Sequence, residues 1–292
     1  MKKIQLIIID PQNSFCKVVP AAEQQILHDG ELCVAGAWES MAVRLPKMIE
    51  KGKKKFKKID VTLDSHRRHH MSHPAFYKDR NGNPPNPFTI MREEAGKVIG
   101  SVFNAATGSF SDIGEFTGII PSIHKKIVQY LIDLRVAGKF PHCIWPYHCL
   151  IGTPGHNVVA PLMDALFNWE QANIQDVNYI TKGSNAWVEH FSAVKAEVVD
   201  PTDASTQINV DFIQSLDEND ENVFVGEARS HCLNNTVRDI VDFFPTDEFV
   251  KKCVLLTDAC DDVPGFESYG EQFVKDMTSR GMKTSTTVDY VA

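Results

Sequence analysis

The run "IQLIII" at residues 4 to 9 is apolar at all but one position, and short apolar, β-rich runs recur at "KIDVTL" (58 to 63), "VNYIT" (177 to 181), "NVFVG" (222 to 226) and "KCVLLT" (252 to 257). Helical periodicity separates them, at about 32 to 50, 155 to 170, 231 to 244 and 267 to 281, and a last short strand is expected near 283 to 288. A half-exposed strand alternates apolar and polar residues. A strand that is apolar almost throughout has to be covered on both faces, which a parallel sheet with crossover helices provides. The pattern therefore predicts an α/β fold with a mostly parallel sheet between two helical layers.

Residues from about 73 to 140 interrupt this succession. "HPAFYKDRNGNPPNPFTI" is rich in Pro, Asn and Gly, "TGSFSDIGEFTG" follows, and only "PSIHKKIVQYLIDLRVAG" reads as an amphipathic helix. A structureless loop of this length is unusual inside a compact domain, so the segment reads as an insertion that decorates the sheet and borders the pocket, placed to act as a lid.

With a formal charge of −8 spread over 292 residues, the chain repels nucleic acid and acidic membrane surfaces, and a small-molecule partner is favoured. The lysine run "KGKKKFKK" (51 to 58) reads as a solvated helix end. The apolar start is broken by Asp10, which argues against a signal peptide, and no stretch is long enough to span a bilayer. Seven cysteines without a CxxC pair suit a reducing cytoplasm better than a disulfide framework. A homo-oligomer is compatible with the sequence.

In open parallel sheets, ligands bind beyond the carboxyl ends of the strands, where strand order reverses. Asp10 ends the first strand, Asp64 and His66 the second, Lys182 the third, and Cys232 lies in the turn after the fourth. Singly, each has an ordinary reading: a turn-forming Asp, a solvated Lys, an inert buried Cys. Their joint position at one end of the sheet points to a site. Cys232, in "GEARSHCLNNTV", falls at a helix N-terminus, where free amides and the helix dipole lower a thiol pKa and can also face a developing oxyanion. Asp10 is the expected proton acceptor, with Lys182 keeping it ionised and favouring the thiolate.

Six segments in this order resemble the isochorismatase-like cysteine hydrolases, and within them the nicotinamidases: "IIIDPQNSF", "DSHRRHHMS", "WPYHC", "TKG", "GEARSHC" and "LLTDAC". The match covers roughly residues 1 to 72 and 141 to 292. It implies a single hydrolase domain over 1 to 292, with six mostly parallel strands in three layers and an insertion at about 73 to 140. It further implies a Cys232, Asp10, Lys182 triad, a cis peptide at Glu227-Ala228, and an oxyanion hole from the amides of Ala228 and Cys232. Asp64, His66 and His148 correspond to the ligands of one divalent metal, most simply zinc, with open positions left for substrate. His70 corresponds to a histidine outside the metal's ligands, while His69 and His73 have no counterpart and are expected on the surface. Ser65, Arg67, His73 and Glu227 depart from the family pattern, so the pocket need not be the standard one.

The activity implied is release of ammonia from a small amide, nicotinamide first, through a thioester. Phe15 and Trp145 are expected to sandwich the ring. A different small amide or a carbamoyl compound is the alternative within the class. Isochorismate hydrolysis, in that family, needs neither the cysteine nor the metal, and a non-catalytic scaffold needs no triad. A zinc hydrolase using metal-bound water, with a structural Cys232, also remains open.

Overall fold

The computed structural model describes residues 2–16, 31–104 and 109–292. Its elements in chain order are β1 (Ile4–Ile9), a π-helical stretch Glu39–Arg44 running into α1 (Leu45–Lys51), β2 (Lys58–Asp64), β3 (Tyr77–Asp79), β4 (Ile90–Glu94), β5 (Lys97–Asn104) and β6 (Ser109–Gly118). They continue with α2 (Pro121–Val136), β7 (His142–Cys143), α3 (Ala160–Asn173), β8 (Asn178–Lys182), α4 (Val210–Asp217) and β9 (Glu221–Gly226). Then come α5 (Cys232–Phe243), β10 (Cys253–Leu256), α6 (Glu267–Arg280), β11 (Lys283–Ser285) and a last short helix, α7 (Thr287–Tyr290).

Six strands form one parallel sheet in the order β11-β10-β9-β1-β2-β8. Its two faces explain the apolar runs. Leu6 and Ile8 of β1 pack with Met41, Leu45, Leu162 and Trp169 on one side. Ile7 and Ile9, the alternate residues, pack with Phe212, Val237, Ile240 and Phe273 on the other. Each side chain buried this way stabilises the fold by about 1.5–3 kcal/mol relative to exposure.

The segment from 73 onward is not a loop with one helix. It builds a second, antiparallel sheet in the order β3-β6-β5-β4-β7, whose inner face packs Tyr77, Met91, Val98 and Phe116 against Ile127, Leu131 and Leu134 of α2. Its outer face leaves Phe103, Phe110 and Ile113 exposed. The sheet supports the neighbourhood of the first one's carboxyl ends: Ile90 of β4 pairs with Cys143 of β7, and the Trp145 amide donates to the Ser72 carbonyl at 2.8 Å. Among the described residues, no helix is long and apolar enough to cross a membrane.

Candidate active site

β1 lies between β9 and β2, with Ile9 beside Gly226, while Asp64 pairs in register with Lys182. The chain builds outward from β1 through β2 to β8 and then returns to the other side of β1 at β9. Strand order reverses there, which is where an α/β sheet opens a crevice. Asp10, Asp64, Lys182 and the turn leading to Cys232 thus leave four neighbouring strands at one end.

Lys182 is the hub. Its Nζ lies 2.9 Å from Asp10 Oδ2, 3.2 Å from Asp64 Oδ1, 3.6 Å from Cys232 Sγ and 3.1 Å from the His190 carbonyl, and the side chain is buried. Asp10 has φ +46, a left-handed conformation, and its Oδ1 accepts the Thr62 hydroxyl at 2.6 Å. A non-glycine residue held there costs about 1–3 kcal/mol, which is typical of a site whose surroundings fix a side chain's direction.

The thiol's titration differs from the sequence expectation. Burial pushes the Cys232 pKa well above the ordinary thiol value, and the nearby Asp10 and Asp64 carboxylates add to this against the opposing charge of Lys182. The helix terminus and a single lysine do not outweigh desolvation plus two carboxylates. At rest Cys232 is therefore a thiol rather than a standing thiolate. Burial likewise raises the Asp10 carboxyl, partly offset by Lys182, which makes it a stronger base.

The peptide Glu227-Ala228 is cis. Among the described residues, neither the Ala228 nor the Cys232 amide donates a hydrogen bond, so both N–H groups stay free beside the sulfur. Gly226 makes the approach possible: at φ +119, a Cβ there would lie 2.1 Å from the Ile9 carbonyl oxygen.

Asp64, His66 and His148 are all buried, and one donor atom from each lies within 4.8 Å of the others. His66 Nε2 is 2.9 Å and His148 Nε2 3.4 Å from Asp64 Oδ2. The His66 amide donates to the Cys149 carbonyl and the Ile151 amide to the His66 carbonyl, both at 3.0 Å, which brings His148 to the end of β2. His148 Nδ1 donates to the Pro146 carbonyl at 2.8 Å, which in the neutral ring leaves the Nε2 lone pair aimed at a carboxylate oxygen. Two acceptors facing each other fit a shared cation, and a ligand histidine anchored through its other nitrogen is the usual arrangement. Burial notwithstanding, His66 and Lys182 hold the Asp64 carboxyl well below the usual carboxylate range.

A narrow cavity of about 30 Å³ joins the two centres and is lined by Phe15, Asp64, Trp145, His148, Ala228 and Cys232, with Glu189, Phe191 and His231 among the remaining walls. The ring-binding candidates Phe15 and Trp145 both reach the cavity. Of Glu227, Arg229 and His231 in the nucleophile turn, only His231 lines it. Glu227 turns away, its carboxylate accepting the Asp261 amide at 3.2 Å, and Arg229 pairs with Asp262. His231 sits in an aromatic cage with Trp145 at 5.3 Å, Phe191 at 5.4 Å and Phe266 at 4.9 Å. Burial there pulls its pKa down to about 3, so the ring is neutral.

The histidine cluster is partly as expected. His69 is exposed, and His70 is buried with Nδ1 2.6 Å from the Ser72 hydroxyl. His73, expected on the surface, is fully buried, with its ring 5.2 Å from both His66 and Tyr147 and 5.4 Å from His148. It packs there among the metal-type histidines, with its Nδ1 3.2 Å from the Arg67 carbonyl. Glu189 and Phe191 carried no readable signal, standing in an irregular stretch after β8.

A parallel α/β sheet with a cysteine, an aspartate, a lysine and a metal-type triad at its switch point defines the class of fold and site. No protein-family model matches the sequence, and no curated protein matches it. Solved structures do. A yeast nicotinamidase bound to the inhibitor nicotinaldehyde is 15% identical with a TM-score of 0.59, the alignment covering 97% of this chain and 99% of that one. A nicotinamidase/pyrazinamidase of Acinetobacter baumanii is 19% identical with a TM-score of 0.59, covering 99% of each chain. The pyrazinamidase of Pyrococcus horikoshii in complex with zinc is 18% identical with a TM-score of 0.51, covering 97% of this chain and 99% of that one. The chain therefore has the fold of these nicotinamidases and pyrazinamidases.

Proposed function

We propose that the protein is a metal-dependent cysteine amidohydrolase that releases ammonia from a small amide, with nicotinamide as the leading substrate. The observation that carries this reading is the contact of one buried lysine with Asp10, Asp64 and Cys232 at once, which couples the nucleophile's proton acceptor to the metal-type triad.

The Cys232 thiol gives its proton to Asp10 as sulfur bonds to the carboxamide carbon, and the Ala228 and Cys232 amides receive the oxyanion. Lys182 holds Asp10 in line and offsets the negative charge that passes to sulfur. Asp10 then returns the proton to the departing nitrogen, the C–N bond breaks, and ammonia leaves a Cys232 thioester. Water, deprotonated by Asp10, cleaves the thioester and restores the thiol. Asp64, His66 and His148 would hold a divalent ion, most simply zinc, which when bound supplies a Lewis-acid anchor for a heteroaromatic ring nitrogen. Phe15 and Trp145 would flank that ring.

The neutral His231 and the carboxyl of Glu189 in the same cavity favour a second reading, a more polar small amide or carbamoyl compound in place of nicotinamide. Ammonia release should be compared for nicotinamide, pyrazinamide, benzamide and an aliphatic amide at equal concentration. The leading reading requires benzamide, which lacks the ring nitrogen, to be much poorer than nicotinamide. Turnover of the aliphatic amide alone would leave the amidase class standing without the nicotinamide assignment.

A further inference from the structure

Glu189 is the polar group in the cavity that the proposed chemistry does not use. Its backbone is fixed from two sides: the amide donates to the Tyr130 hydroxyl of α2 at 3.1 Å, and the carbonyl accepts the Glu197 amide at 2.9 Å. The side chain is buried, and Oε1 accepts the His190 amide at 3.0 Å. Oε2 is equally buried and has no hydrogen-bond partner. Buried carboxylate oxygens are costly to leave without a donor, and those that persist at a cavity wall are candidates for a ligand contact. Glu189 does not belong to the three groups whose donor atoms converge on the metal position, yet it shares the cavity with two of them and with Cys232.

Resting on the amidohydrolase reading above, and on its second, more polar class of substrate in place of nicotinamide, we propose that Oε2 of Glu189 is a specificity-determining acceptor that selects amides carrying an additional N–H or O–H donor. A site with a buried hydrogen-bonding group discriminates against ligands that leave it unpaired more strongly than an apolar wall discriminates by size. Phe191, Phe15 and Trp145 supply the apolar walls, so the favoured substrate is a flat aromatic amide with one polar-hydrogen substituent rather than a uniformly polar molecule.

The test is binding, measured by calorimetry, of paired aromatic carboxamides to metal-loaded Cys232→Ala protein. One member of each pair carries a ring amino group and the other a methoxy group at the same position, which accepts but cannot donate. At one ring position or more, the amino compound should bind about 10- to 100-fold more tightly. Glu189→Gln in the same background keeps an oxygen for the His190 amide and turns an NH2 toward the cavity, so the preference should reverse; Glu189→Ala should bring the ratio near one. A purely structural Glu189 would weaken both ligands alike and leave the ratio unchanged, which overturns the proposal. So does a preference that survives in both variants, a parent that binds neither compound, or loss of metal from Glu189→Gln, which would make Glu189 a ligand. An intact, Glu189-dependent preference in a protein whose wild type releases no ammonia would sink the amidase reading while leaving the donor-selecting role in place.

Discussion

Replacing Gly183 by alanine should damage the metal triad without touching any of its residues. Gly183 follows Lys182 at the end of β8 with φ +78, and a Cβ there would lie 2.6 Å from Asp64 Oδ1 and 3.1 Å from His66 Cε1. Ordinary contact begins near 3.4 Å, so the carboxylate would have to retreat by about 0.8 Å. It has no free direction to take, because Oδ1 is tied to Lys182 at 3.2 Å and Oδ2 to His66 at 2.9 Å. Left-handed backbone alone costs an alanine about 1–2 kcal/mol, a fall of roughly 2–8 °C in Tm for a chain of this size. Displacing Asp64 should also weaken metal binding roughly 10- to 100-fold, the usual effect of disturbing a ligand's supports. Gly82→Ala is the control: Gly82 has φ +87, but a Cβ there meets nothing within 4 Å. Thermal melting and chelator-competition titration of both variants separate strain from displacement. Both should melt earlier and only Gly183→Ala should lose metal affinity; wild-type metal affinity in Gly183→Ala would refute the placement of Asp64 as a ligand.

Cys232→Ala should fold and keep its metal while kcat drops roughly 10⁴-fold or more, and Asp10→Asn should approach it, as measured by ammonia release. His148→Ala and Asp64→Ala should each lower metal affinity by at least roughly 100-fold, whereas exposed His69→Ala should not, with elemental analysis deciding. His142 is buried near Tyr77, and desolvation pulls its pKa from 6.5 to about 4. Between those values the unfolded chain binds a proton that the folded one refuses, so stability falls as pH drops from 6.5 toward 4. Relative to His142→Gln, the parent should lose up to about 1.4 kcal/mol per pH unit in that window, checked by urea unfolding at pH 7, 6 and 5.

The main sheet was readable because burial on both faces leaves nearly continuous apolar runs, and because Asp10, Asp64, Lys182 and Cys232 each mark a strand end. The antiparallel sheet was not. β4, β5 and β6 keep one face toward solvent, carry charged residues such as Arg92, Lys97 and Glu115, and lie among Pro, Asn and Gly, so their apolar content falls to that of a loop. The burial of His73 was misread because its neighbours His66, Tyr147 and His148 meet it only in three dimensions. Glu189 left no trace for a different reason: an isolated acid outside any periodic element looks like a surface residue until its neighbours are placed. The thiol's raised pKa likewise depends on burial first, and then on two carboxylates that meet Cys232 only in three dimensions.

The central claim is that Cys232, acting through Asp10, opens an amide to a thioester. Rapid mixing of the metal-loaded protein with nicotinamide or the best amide from the ammonia screen, acid quenching, and intact-mass and peptide mapping test it directly. The account predicts one acyl group on Cys232 during turnover, formed as ammonia appears and absent from Cys232→Ala. Ammonia released with no acyl group on Cys232, and undiminished in Cys232→Ala, would contradict it and assign the hydrolysis to water at the Asp64, His66, His148 centre.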